Sequence, residues 1–420
     1  MLDIKLIREK PEFVKQALAS KGIDAPISLI LELDEKRRHL TLEGDQKKAE
    51  RNQISKTISV LKREGKDASA IIASTNELGE ALDVLEKDIR ETEQKLDDIL
   101  LSLPNLPHTT VPLGRSSRDN VVVRSWGDLP QLNFTPIDHL ALGEKLGLFD
   151  FARGAKITGR GFPIYIGRGA RLERALIDFF LDHHLQNGFT EILPPLLVNK
   201  DSMIGTGQLP KMAEDMYKLA EDDYYLIPTA EVPVTNYHAR EMLNAADLPL
   251  RYAAYSACFR REAGSWGKET RGFQRLHQFN KVEMVCFSDP EKSYEEHERL
   301  VNQAEGILQK LEIPYRVLAL CTGDLSFAAA KCYDLEVYSP YAQGWLEVSS
   351  VSNFEDFQAR RASIRFKKEG KPQFVHTLNG SGLATPRLLV ALLECHQTAE
   401  GTLRIPPALQ PYLGGIKEFT

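Results

Sequence analysis

The feature that most restricts this chain is a run without proline from Ile30 to Leu103, dominated by charged residues and holding only three glycines, Gly44, Gly65 and Gly79. Such a run suits long helices better than a packed domain. In its second half, Leu78, Leu82, Leu85, Ile89, Leu96, Ile99 and Leu103 recur at alternating steps of four and three, with Thr92 in the remaining slot. That spacing is an a/d seam, which lets one helix bury a stripe against another. The first half takes the same grid, with Leu33 and Leu40 at one end, Ile54, Ile58 and Leu61 at the other, and Arg37, Gly44, Lys47 and Arg51 between them. Turn chemistry falls at Arg63-Glu64-Gly65-Lys66-Asp67-Ala68. The two halves read as an antiparallel helical hairpin over about residues 28–103, closed near Gly65 and about 50 Å long at 1.5 Å per residue.

Charge divides unevenly between the arms. Residues 28–66 carry ten Lys/Arg against seven acids, and residues 67–101 three against ten. Salt bridges that keep the arms paired are one reading. Phosphate contacts along a rod, from Arg37, Arg38, Lys47, Lys48, Arg51 and Lys56, are the other. Both can hold at once. The whole chain is acidic, with 53 Lys+Arg against 59 Asp+Glu, so a nucleic acid would need a local basic surface of this kind.

The 420 residues leave room for two or three domains. No stretch approaches the ~18 apolar residues of a membrane span, and charges close behind Met1 interrupt any signal-peptide core. A cytoplasmic protein with no membrane partner is expected. Cys258, Cys286, Cys321, Cys332 and Cys395 form no Cys-x-x-Cys pair, so no zinc is expected.

The linker Leu103-Pro104-Asn105-Leu106-Pro107-His108 suggests an N-terminal unit over residues 1–108 and a body over 109–420, loop-rich to about Pro136. Helical spacing of Leu172, Leu176, Phe179 and Phe180 predicts a helix from Gly169 to Leu185, followed by Pro194-Pro195. β-like runs follow at Tyr224–Pro228, Tyr252–Phe259, Gln278–Phe287, Tyr315–Leu320, Tyr333–Tyr338 and Trp345–Val351. Turns separate them more often than helices do, which predicts a mainly antiparallel sheet and an α+β body.

Four groups in this body carry candidate chemistry. Phe259-Arg260-Arg261-Glu262 reads as a strand end, with Arg260 and Glu262 two apart on one face. Phe279, Lys281 and Glu283 also share a face. An arginine on phosphate, a carboxylate accepting from an exocyclic amine and an aromatic ring against a base would hold a nucleotide; a surface ion pair is the plainer reading of Arg260 and Glu262. In Glu347-Val348-Ser349-Ser350, Glu347 and Ser349 alternate with Val348 and Ser350, and a carboxylate near a hydroxyl offers hard-oxygen chemistry suited to Mg²⁺. Asn379-Gly380-Ser381-Gly382 leads into an apolar helix behind Arg387, where glycines admit a ligand to the backbone or simply make a tight turn.

Together and in this order, these groups resemble the class II aminoacyl-tRNA synthetases, specifically the bacterial type of seryl-tRNA synthetase. Pro194-Pro195 behind the long helix is similar to the first, dimer-forming motif of that class. Phe259 to Glu283 is similar to the second motif and Asn379 to Arg387 to the third. Thr229-Ala230-Glu231 resembles the serine-site triplet, Gly205 to Lys211 is also family-like, and the charged hairpin resembles the tRNA-binding arm. The resemblance spans essentially the whole chain. It implies a homodimer with an N-terminal helical arm on a class II catalytic domain of antiparallel sheet flanked by helices.

The implied reaction joins L-serine and ATP into seryl-adenylate, then passes serine to tRNA(Ser), with tRNA(Sec) open as a second acceptor. By resemblance Arg260, Glu262 and Arg387 are the catalytic residues. Arg260 bridges the α-phosphate and the serine carboxylate, Glu262 and Phe279 hold adenine, and Arg275 and Arg387 serve the terminal phosphates. Arg261, Val348 and Ser349 complete the ATP set, and Glu347 with Ser350 holds Mg²⁺. Thr229, Ala230, Glu231, Glu283, Asn379 and Ser381 form the serine pocket with Arg260. Trp266 stands where the family would have a small residue, and His277 is expected to be structural because adenylate formation needs no base. Two other readings share the catalytic body: an enzyme loading a carrier protein, which would lack the arm, and a regulatory paralogue, which would lose Arg260, Glu262 or Arg387.

Overall fold

The computed structural model describes residues 1–263 and 272–420, so Trp266 lies outside the described residues. Contacts divide the chain into two compact units, residues 1–19 with 23–104, and residues 20–22 with 105–420.

The first unit opens with α1 (Ile4–Glu9) and α2 (Pro11–Ser20), then forms the hairpin from α3 (Ile27–Arg63) and α4 (Ser69–Ser102). The seam explains the pairing: Leu82, Leu85, Thr92, Leu96 and Leu103 are buried. On α3 the polar middle of the seam is relieved by Gly44, whose Cβ position lies 3.6 Å from Ile89 Cδ1. Asp34 is fully buried and gathers Arg8 (2.9 Å), Arg37 (2.9 Å) and Arg38 (3.1 Å). Burial alone would lift its carboxyl, and the hydrogen bonds and charges of Arg8 and Arg37 outweigh that and hold it below the usual range. Lys48 reaches across the arms to Glu86 at 2.9 Å, and Lys47 sits 3.8 Å from Glu43 on its own helix. Arg51 and Lys56 are exposed. The cationic residues of the arm thus divide between internal ion pairs and open surface.

The second unit is built on an eight-stranded sheet. Its strands are β1 (Val121–Trp126), β2 (Thr190–Glu191), β3 (Leu250–Phe259), β4 (Gln278–Ser288), β5 (Tyr315–Ala319), β6 (Lys331–Ser339), β7 (Gly344–Asn353) and β8 (His376–Ala384). They lie in the order β1-β5-β6-β7-β8-β4-β3-β2, all antiparallel except the β2–β3 pair. The predicted strand at Tyr224–Pro228 is real over Tyr224–Leu226 but belongs to a separate two-stranded sheet with Leu197–Asn199. Val121–Trp126, within the stretch read as loop, forms the edge strand β1.

One face of the sheet is covered by α5 (Arg168–Gln186), α6 (Ser293–Lys310) and α8 (Thr385–His396); α7 (Phe357–Ala362) follows β7. Leu172, Leu176 and Phe180 of α5, Leu300 and Ile307 of α6 and Leu388 to Leu393 of α8 share one core with Val282, Met284, Val351 and Leu378 of the strands. Period-2 alternation then sends Phe279, Lys281 and Glu283 of β4, and Asn379 and Ser381 of β8, to the opposite face. All five line a single cleft of about 590 Å³.

Candidate active site

At the bottom of the cleft stands Glu283, fully buried in the middle of β4. Thr229 Oγ1 donates to its Oε2 at 2.7 Å, Asn379 Nδ2 donates to its Oε1 at 3.0 Å, and Lys281 Nζ closes on it as an ion pair. A carboxylate held by three donors from three segments has a fixed orientation and little freedom to turn away from a ligand. Glu231 lies alongside, also buried, accepting from Gln358 Nε2 at 2.7 Å. Burial first, then the nearby charge of Glu283, pushes Glu231 up to about 7.

Arginines ring the upper cleft. Arg260 stacks its guanidinium over Phe279, 5.1 Å from the ring centroid, and its Nε approaches the Pro228 carbonyl at 3.4 Å. Arg275 donates to Glu262 at 2.7 Å. Arg387, in the first turn of α8, donates from Nε to Gln274 O at 3.2 Å and from Nη1 to Glu347 O at 3.0 Å, with the Glu347 carboxylate at 3.4 Å. Each arginine is tied to backbone or carboxylate, so the cationic rim is built before any ligand arrives.

Two sequence-based geometries need correction. Strand β3 ends at Phe259, and Glu262 has φ +51, so Arg260 and Glu262 do not share a face through strand alternation. They meet in the cleft because the backbone leaves the strand and is pinned by Arg260 N to His277 O at 2.9 Å and Arg261 N to Asp215 O at 2.9 Å. In β7, Leu335 pairs with Ser349 and Glu336 with Glu347, so Val348 is an extra, unpaired residue. This bulge breaks alternation. Val348 also packs into the core and Ser349 Oγ donates to Ser381 O at 2.6 Å, and all four residues from Glu347 to Ser350 border the cleft.

The cleft brings together Thr229, Glu231, Arg260, Glu262, Arg275, Phe279, Glu283, Glu347, Val348, Ser349, Ser350, Asn379, Ser381 and Arg387. It leaves out two of the expected residues. Ala230 packs in a core with Val234, Ala254 and Val285, and Arg261 is exposed outside the lining. His277 is held by Arg260 O at 3.0 Å and Tyr217 Oη at 3.2 Å and stacks on Phe162. Gln358 escaped sequence reading. It sits on the short helix α7 with no motif around it, yet it joins Glu231, Thr206 O and Thr377 in one buried network.

For a cation carried by phosphates the fit is good. Glu347 and Ser350 offer two hard-oxygen donors on one side of the cleft, with Asp334 paired to Ser350 on the next strand. Asp334 is raised by burial and then by the charge of Glu347, as expected of a buried carboxyl beside a like charge. Among the described residues no group of three or more His, Cys, Asp or Glu stands ready to hold a metal unaided. That donor count suits Mg²⁺, which keeps phosphate and water ligands.

Known proteins resemble this chain over essentially its whole length. Residues 216–396 match the family described as the tRNA synthetase class II core domain (G, H, P, S and T). This makes the second unit a class II synthetase core. Residues 1–107 match the Seryl-tRNA synthetase N-terminal domain. The chain is 53% identical over 416 residues to the serine–tRNA ligase of Desulfitobacterium hafniense (strain Y51), covering 99% of both chains. Its fold superposes with a TM-score of 0.92 on the seryl-tRNA synthetase from Pyrococcus horikoshii complexed with ATP, at 41% identity, covering 100% of this chain and 99% of that one. A cytoplasmic serine–tRNA ligase from Naegleria fowleri in complex with AMP gives 0.88 at 29% identity, covering 100% and 99%. The chain belongs to the seryl-tRNA synthetase family.

Proposed function

We propose that this chain is a serine–tRNA ligase, which activates L-serine with ATP and transfers it to the 3′ end of tRNA(Ser). The observation that carries the reading is the convergence of Thr229, Asn379 and Lys281 on the buried Glu283, in the same cleft as Arg260, Arg275 and Arg387. The carboxylate of serine is already a nucleophile at neutral pH, so activation requires alignment with the α-phosphorus and neutralisation of developing charge. In the first step a carboxylate oxygen bonds to the α-phosphorus and the bond to pyrophosphate breaks. In the second, a terminal ribose hydroxyl of the tRNA takes the acyl group and AMP leaves.

Arg260 is the residue assigned to both the serine carboxylate and the α-phosphate. Phe279 stacks against adenine, Glu262 accepts from its amine while orienting Arg275, and Arg275 and Arg387 draw on the terminal phosphates. Glu347 and Ser350 would hold Mg²⁺, which supplies charge neutralisation on the triphosphate. Glu283 accepts from the serine hydroxyl. A substrate without that hydroxyl leaves buried polar groups unpaired and is rejected on that ground. Arg37, Arg38, Lys47, Lys48, Arg51 and Lys56 present the arm to tRNA phosphates.

The dimer expected of the family is supported by apolar surface beside Pro194-Pro195, where Leu193 is 79% exposed and Leu196 and Leu197 about as open as ordinary surface residues, at 40% and 42%. A cytoplasmic location is supported by the Naegleria fowleri relative, and no helix among the described residues is long and apolar enough to cross a membrane. The test is exchange of labelled pyrophosphate into ATP with serine, threonine or alanine as the only amino acid. Exchange driven by serine alone is expected; exchange driven equally by alanine contradicts the pocket assignment.

A further inference from the structure

The segments that flank the hairpin in sequence, Ser20–Gly22 and the stretch beginning at Asn105, both belong to the second unit, and both close on one loop. Lys21 Nζ donates to the carbonyls of Ser326 at 2.9 Å and Ala329 at 3.4 Å, and to that of Asn105 at 3.3 Å. Asn105, buried, donates from its backbone N–H to Phe327 O at 2.9 Å and from Nδ2 to Ala328 O at 3.0 Å and Phe354 O at 2.8 Å. Four successive carbonyls, residues 326 to 329, are therefore taken by two side chains and one backbone amide from outside the loop. Burial pushes the Lys21 ammonium down to about 7, and these partners are all backbone carbonyls, two in the loop and that of Asn105.

The other side of this loop is a wall of the cleft. Ser326, Phe327 and Ala328 line it. The loop bears on Gly207, whose Cβ position is 3.6 Å from both Ala328 Cβ and the Phe327 ring. Next to Gly207, Thr206 O accepts from Gln358 Nε2 at 3.1 Å, and the same nitrogen donates to Glu231. The chain of contact thus runs from Lys21 and Asn105, through the loop, to the side of the cleft that holds Glu231.

We infer that Lys21 and Asn105 are positioning residues for amino-acid binding: they set the backbone of residues 326–329 that closes the serine side of the cleft. The entry to and exit from the arm then share one support with the amino-acid pocket. This inference rests on the serine reading above and deepens it.

The test uses the full-length protein in serine-dependent pyrophosphate exchange, with Lys21→Met, Asn105→Ala and the double variant. Each single change is expected to raise KM for serine by about tenfold while KM for ATP moves less than about twofold. The double variant is expected to be little worse than the poorer single one, because residues that act on one loop are not additive. Parallel rises in both KM values, an unchanged KM for serine, or effects that simply multiply would overturn the inference. Should Lys21→Met not fold, the KM split of Asn105→Ala decides the matter. A wild-type protein silent to serine overturns the serine reading itself; a responsive wild type with no split in the variants overturns only this inference.

Discussion

Replacing Glu283 by alanine removes the acceptor of three donors at once. Thr229 Oγ1, Asn379 Nδ2 and Lys281 Nζ, at the bottom of the cleft, lose their common partner. If the serine hydroxyl also donates to this carboxylate, the lost charge-assisted hydrogen bond weakens serine binding by about 1.5–3 kcal/mol. At 1.4 kcal/mol per tenfold, KM for serine rises roughly 10- to 150-fold. ATP meets the arginine rim and Phe279 instead, so its KM should stay within about threefold. Breaking a buried ion pair also destabilises the fold by about 3–5 kcal/mol, and the unchanged KM for ATP serves as the internal control that the site is still built. The assay is pyrophosphate exchange with each substrate varied at saturating levels of the other. Comparable rises in both KM values would refute the reasoning, as would a KM for serine that does not move.

Other outcomes follow from the same geometry. Arg387→Ala, which cuts the ties to Gln274 O and Glu347, should lower the rate of exchange at saturating substrates by about 10²–10³, the usual effect of losing one oriented donor; a change confined to KM for serine contradicts its assignment. Glu173 is buried against Asn280 and Thr385, and burial pushes it up to about 7 against a model-compound value of 4.5. The folded protein then holds a proton that the unfolded chain has lost, so stability declines as pH rises from about 4.5 to 7, by about 3 kcal/mol in total. Glu173→Gln should remove that decline, a gain over wild type visible in urea unfolding at pH 8 and absent at pH 4.5; a gain equal at both pH values refutes it. Deleting residues 30–100 should leave serine-dependent exchange within a few fold and abolish charging of tRNA. Mixing that deletion with Arg260→Ala subunits tests whether the arm serves its partner's site, since charging by the mixed dimer requires it.

Sequence reading reached most of the architecture because the dominant signals were local. The seam spaced by four and three from Leu78 to Leu103 marks the helix's packed stripe, with Leu82, Leu85, Thr92, Leu96 and Leu103 buried and Leu78, Ile89 and Ile99 half-buried. The face shared by Phe279, Lys281 and Glu283 is likewise a record of strand pleat, and all three line the cleft. Errors arose where the backbone departs from a simple period. Glu262 lies in a left-handed turn beyond the strand, and the bulge at Val348 breaks the alternation of Glu347 and Ser349 with Val348 and Ser350, so that all four border the cleft. Neither departure has a glycine or proline to announce it. The edge strand Val121–Trp126 is exposed at most positions, so it lacks the alternation that marks a half-buried strand. Gln358, Lys21 and Asn105 act through long-range hydrogen bonds, and nothing in their neighbours in sequence records such contacts.

The central claim is that one cleft activates serine and delivers it to tRNA. It is tested most directly by incubating the purified protein with labelled serine, Mg·ATP and separate transcripts of tRNA(Ser), tRNA(Sec) and an unrelated tRNA. Stable, acid-precipitable serine on tRNA(Ser) and none on the unrelated tRNA is the predicted result, with tRNA(Sec) reporting the breadth of the acceptor. Serine-dependent pyrophosphate exchange without any labelled tRNA would contradict the account, since it would leave an adenylating enzyme whose acceptor is something other than tRNA.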